Sequence, residues 1–303
     1  MRIRSLACAM LLGFAPAAMA CINTVATDNT GRRFEPEWFV GQEFADWTFG
    51  QDRRDSWNRE ARQTIANARA KPDFAHLTDL GVLLIYQGQY AAAVRHFLFV
   101  ERRFPGHHET AANLGTALEL AGHDAVALRW IRIGIQRNRN EHLGTEWLHA
   151  RILQAKLAIA SDRAYLKGHS VAGVAFEPAL VPPMPKAMPP GNDGKPVTAW
   201  QLHVALSYQL HERLQFVRPT DPIVANLLQD WATLNLAGGP IENAAVLYEA
   251  AVRYGARNDT LMRSRQGYIE RTLAQADDDH WGGTCALCQP PDPPPPPDAE
   301  GGG

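Results

Sequence analysis

The chain has 303 residues and is 46% hydrophobic, which is enough to bury a sizeable core and too apolar for a disordered polymer. Lys and Arg number 30 against 32 Asp and Glu, a formal charge of −2, and no basic stripe marks a nucleic-acid binder. Beyond the first 20 residues the apolar runs, such as Val82 to Tyr86, are far too short to span a bilayer.

Arg2 and Arg4 open the chain, Leu6 to Ala15 is apolar, Pro16 breaks the run, and Ala18-Met19-Ala20 offers small residues to a signal peptidase. That order predicts an export leader over 1–20, with which Cys8 would leave. The segment Ala18 to Cys21 resembles the lipobox of bacterial lipoproteins, departing at Ala18, where that pattern usually has Leu. Two outcomes stay open for Cys21: lipidation, or simple cleavage to an unmodified thiol. A lipid would anchor the protein without a spanning helix, each buried methylene contributing about 0.8 kcal/mol. The expected location is the bacterial periplasm or cell envelope, with a lipid on Cys21 as the one membrane attachment foreseen.

Residues 21–50 carry Phe34, Trp38, Phe39, Phe44, Trp47 and Phe49 and read as irregular. Their expected role is a cap over the exposed apolar end of the first helix pair, favoured over a stacking platform for a sugar or peptide. Trp57, Ala61, Ile65 and Ala68 then predict a helix over 52–70, ended by Lys71-Pro72.

A period of 34 follows. Leu80-Gly81 recurs as Leu114-Gly115, Gly88 as Gly122, Ala93 as Ala127 and Phe97 as Ile131. A glycine inside a helix costs about 0.5–1 kcal/mol relative to alanine. Gly81 and Gly115 are therefore expected to let a paired helix approach, with Phe97 and Ile131 filling the space. This pattern resembles the tetratricopeptide repeat, with Pro105 in the closing place of the first unit and Arg139 in that of the second. The resemblance implies an all-α superhelix of stacked helix pairs. It is firm over 74–140 and loose over 142–160, where Leu148, Ile152 and Ala155 mark an in-phase helix.

Seven prolines between 178 and 196 predict an extended loop. A helix resumes from about Thr198 to Val217. Trp231, Gly239, Ala244 and Tyr248 repeat the earlier spacing as a degenerate unit over 225–258, with Asp221-Pro222 as helix start and Asn235 where Leu84 and Leu118 stood. A last helix is expected over 258–276, closing a helical domain over 51–288. The tail over 289–303 has seven prolines and three terminal glycines and reads as disordered.

Proteins with such repeats generally hold peptides or partner proteins in a concave groove lined by the first helices. Carried onto this chain, the resemblance names Thr78, Val82, Ile85 and Tyr86 in the first unit, Ala112, Asn113, Thr116 and Glu119 in the second, and Glu146, Trp147 and Ala150 in the next helix. A known carboxylate clamp is not matched, because Thr78 and Ala112 stand where basic residues would help. The expected partner is a protein or peptide with apolar anchors and a basic residue. Tyr86 and Trp147 could equally be ordinary packing. The stretch Gly144 to His149 resembles one in uncharacterised exported bacterial proteins with similar repeats, which supplies no activity.

Gly168-His169-Ser170-Val171-Ala172-Gly173 looks like a lipase nucleophile elbow, but no strand is predicted before it, and a turn is preferred. Cys285-x-x-Cys288 reads first as a disulfide or a loose thiol pair. A redox pair or a metal site that recruits His280 or Asp277 to Asp279 is the alternative, though one such pair gives half a zinc shell, and Gln289 replaces the histidine of a haem motif. No catalytic residue, metal site or cofactor is assigned.

Overall fold

The computed structural model describes residues 24–50, 53–277 and 279–290; the leader, Cys21 and the tail from residue 291 lie outside them. Its described part is all-α apart from one hairpin of β1 (Ala26–Thr27) and β2 (Arg33–Phe34). The helices are α1 (Gly41–Phe49), α2 (Arg53–Ala70), α3 (Phe74–Tyr86), α4 (Tyr90–Arg103), α5 (His108–Leu120), α6 (Asp124–Arg137), the short turn α7 (Glu141–Gly144), α8 (Glu146–Ser161), α9 (Ala199–Arg213), α10 (Pro222–Gly238), α11 (Ile241–Arg253) and α12 (Thr260–Gln275). None of them is long and apolar enough to cross a membrane.

The 34-residue period has a direct structural counterpart. Asp73 caps α3 by accepting from the His76 N–H, and the chain reverses at Gly88, whose φ of +72° glycine adopts without strain. Gly122 (φ +83°) reverses the chain between α5 and α6 in the same way. A Cβ on Gly81 would lie 2.4 Å from the Phe97 ring, and one on Gly115 would lie 2.4 Å from Cδ1 of Ile131. Both facing side chains, with Ala93 and Ala127, are fully buried. The missing side chain in the first helix of each pair is thus matched to a large one in the second.

After α8 the regularity ends. The 162–198 segment is irregular, as its prolines require. Arg265 of α12 pins it, donating to the carbonyls of Glu177 and Ala179 while its Nη1 reaches Thr233 and Tyr248. Asp221 then caps α10 through the N–H groups of Ile223 and Val224. Trp231, Ala244 and Tyr248 of the degenerate unit are fully buried. Asn235, in the place of a leucine, turns its amide back onto the Trp231 carbonyl. Gly239 is not a left-handed turn residue (φ −129°); a Cβ there would meet Leu287 at 2.6 Å, so the glycine admits the C-terminal segment.

The N-terminal region differs from its expectation in two respects. Residues 41–49 form a helix, and the region covers α9 to α11 rather than the first pair. Phe44 packs edge-on to Trp231, Trp38 stacks on His203 at 4.2 Å and Trp47 on His211 at 4.7 Å. The start of α1 is satisfied by Asn243, whose Oδ1 accepts from the Gly41 N–H, so no local capping residue announces it. The C-terminal segment docks here too: Arg33 N–H donates to His280 O, Gly283 N–H to Arg33 O and Thr284 N–H to the Asp28 carboxylate.

Candidate functional site

A cavity of about 460 Å³ lies where α3, α5 and α8 face α2 and α9. Val82, Ile85, Tyr86, Asn113, Thr116, Glu119 and Glu146 line it, so most of the groove residues named from the sequence do converge. Thr78 and Trp147 do not. Thr78 sits a turn before Val82, outside the lining. Trp147 is 5% exposed and belongs to the main core with Leu148 and Ile152. Glu146 and His149 share the cavity face of α8, and Trp147 is turned about 100° from Glu146. Ala112 and Ala150 are buried as well.

The open groove expected from the first helices is closed into a pocket. Trp57 of α2 stacks on Tyr86 at 5.6 Å, and Phe216, just beyond α9, reaches Tyr86 at 5.2 Å. Tyr208, Glu212 and Arg213 complete the α9 wall, and Arg53 of α2 pairs with Glu212 at 2.8 Å.

A buried ionic network forms the floor. Glu119 accepts from both terminal nitrogens of Arg213 (2.8 and 3.1 Å), from His149 Nε2 (2.8 Å) and from Lys156 Nζ (3.2 Å). Burial alone would raise the Glu119 pKa, but Arg213 and His149 hold it well below the ordinary range. Glu146 takes His142 Nδ1 at 2.6 Å and has His149 Nδ1 at 3.6 Å. It too resists the upward push of burial and stays at about 2 through these histidines. His149 is desolvated, which alone would lower it, yet the two glutamates raise it to about 9.

The entrance to this network is strained. His142 (φ 50°, ψ 49°) and Leu143 (φ 59°, ψ 26°) are left-handed, as is Gly144. Non-glycine residues in this region cost about 1–2 kcal/mol each, and such strain concentrates at functional sites. His142 is held there by Glu146, by Glu141 at 3.4 Å and by Tyr208 stacked at 5.1 Å.

His142, His149, Tyr208, Arg213, Trp57 and Phe216 were not legible as site residues. The i, i+3 pair Glu146 and His149 was the one local signal available. The elbow-like serine is a turn cap: Ser170 Oγ donates to Asp230 at 2.6 Å and accepts from the N–H groups of Gly173 and Val174, with no strand before it. Cys285 and Cys288 are joined in a disulfide, which packs by Ala26, Phe34 and Val40. No group of three or more His, Cys, Asp or Glu among the described residues is arranged to hold a metal. Compared with protein-family models, with curated proteins and with solved structures, the chain gives no match.

Proposed function

We propose that the chain is an exported binding protein built on tetratricopeptide-like helix pairs, and that it captures a short segment of a protein or peptide partner in the pocket between α2, α3, α5, α8 and α9. The observation that carries this is the convergence of Val82, Tyr86, Asn113, Thr116, Glu119 and Glu146, from three successive first helices, on one cavity. Its volume and its mix of aromatic walls with a few polar groups suit a short segment or a single long side chain. The repeat part of the proposal rests on the matched contacts of Gly81 with Phe97 and Gly115 with Ile131. The export part rests on the leader composition.

Thr116 is half-buried on the pocket wall, so Thr116→Trp fills the pocket from a tolerant position. Panning a displayed random-peptide library on the mature protein should enrich a shared motif that Thr116→Trp fails to retain at unchanged Tm. Equal enrichment by both proteins, or none by the wild type, would remove the pocket from its role.

A further inference from the structure

The pocket contains two arginines, and both are engaged: Arg213 on Glu119 and Arg53 on Glu212. Glu146 is different. Its side chain is 3% exposed and forms part of the pocket lining, yet Oε2 accepts no hydrogen bond, the nearest cation being His149 Nδ1 at 3.6 Å. A buried carboxylate oxygen without a donor is rare and costly unless something supplies one. The rings of Trp57, Tyr86, Tyr208 and Phe216 line the same space and offer π faces. An incoming anion would face Glu60, Glu146 and Glu212, and a neutral apolar group would leave Oε2 unpaired.

A further cation beside Glu146 would repel the protonated histidines already there. Of the two histidines that touch it, His149 is 8% exposed and locked between two glutamates, whereas His142 is 34% exposed and sits on the strained left-handed turn. The charged and titratable groups that face His142 are Glu141 on its own turn, Glu146 on α8, and Tyr208 and Glu212 on α9; His108 of α5 competes for Glu141 at 2.5 Å.

We infer that the pocket takes a cation, a primary ammonium or a guanidinium, which Glu146 receives in exchange for the proton of the His142 imidazolium. The ligand's N–H groups bond to the Glu146 carboxylate, the imidazole turns neutral, and one proton passes to solvent for each cation bound. This rests on the pocket being the binding site proposed above. Desolvation works against charge on His142, but Glu146, Glu141 and Glu212 outweigh it and raise its pKa, so a cation that binds below that pKa displaces a proton.

Calorimetry on the mature chain tests this with capped tripeptides carrying a central lysine, arginine or norleucine, with uncapped trileucine, and with butylamine and butylguanidine. A lysine or arginine peptide should bind at least about tenfold tighter than its norleucine isostere. Affinity should rise with pH through the His142 titration by up to about tenfold per pH unit, the limit for one linked proton. Heats in buffers of different ionisation enthalpy should report release of one proton. His142→Asn, which tolerates the left-handed backbone, should keep the preference for cations and flatten the pH slope. Glu146→Gln should abolish the preference. Should that variant misfold, Trp57→Leu at a half-buried position should weaken the cationic probes several-fold and norleucine less. Equal binding of norleucine, or cation uptake without proton release, would overturn the inference. Tight binding of the free amines with no peptide binding keeps the inference and defeats the peptide reading; binding by trileucine alone places the cation at a peptide N-terminus. No binding by any probe defeats both.

Discussion

His149 ties the stability of this fold to pH in a direction opposite to that of an ordinary buried histidine. Its pKa rises from 6.5 to about 9 on folding, against desolvation, because the Glu119 carboxylate binds one ring nitrogen at 2.8 Å and the Glu146 carboxylate stands 3.6 Å from the other. A group whose folded pKa is raised contributes fully below its unfolded pKa and loses the contribution as pH climbs through the folded one. At about 1.4 kcal/mol per pH unit, the rise corresponds to about 3 kcal/mol, present at pH 6.5 and gone by about pH 9.5. Across this window Glu119 and Glu146 remain ionised in both states, so they leave the slope unchanged. His142 is raised as well and adds to the same slope. His203 and His211, lowered by burial, act on the other side: their contribution is present above 6.5 and fades below it. Urea melts of the wild type and of His149→Gln at pH 6.5, 7.5, 8.5 and 9.5, as about one-unit steps through the window, read this directly. The wild type should lose stability steadily and the variant much less. A wild-type midpoint that is flat over the range, or parallel slopes in the two proteins, would show that His149 is not held as its geometry implies.

Three further outcomes follow from packing. Gly81→Ala should destabilise by about 1–3 kcal/mol in urea melts, because its Cβ would overlap the Phe97 ring; Phe97→Leu in the same chain should recover part of the loss, and a simple stabilisation by Gly81→Ala would show that the helices do not approach so closely. Trp147→Ala should lower stability by about 3–5 kcal/mol, as expected for an emptied core site, and an unchanged Tm would return Trp147 to the binding surface. Arg265→Leu should cost about 2–4 kcal/mol and loosen the proline-rich segment, since the carbonyls of Glu177 and Ala179 lose a charged donor; hydrogen exchange or limited proteolysis over 175–185 checks it.

The helix pairs from Asp73 to Arg137 were legible because their determinants are local: turn glycines and a small residue set opposite a large one 16 positions later, as in Gly81 with Phe97. α10 announced itself in the same way through Asp221-Pro222. α1 did not, because its first N–H finds its acceptor 202 residues away on Asn243. The pocket was half legible for the same reason. Its inner wall follows the period of α3, α5 and α8. Arg213, Tyr208 and Phe216 join it from α9 and the turn beyond, after the long irregular segment whose path no periodicity encodes. Trp147 shows the complementary error: a large aromatic next to the right residue on a helix is still on the wrong face.

Stacked helix pairs are, in general, open-ended rods that fray from whichever end is weakest. In this chain the hairpin and α1 lie against α9 to α11, and the backbone of Arg33 is bonded on both sides to residues 280 and 283. The first described residues and the last therefore leave the body side by side. That pairing acts as a clasp, and neither end can peel away without releasing the other.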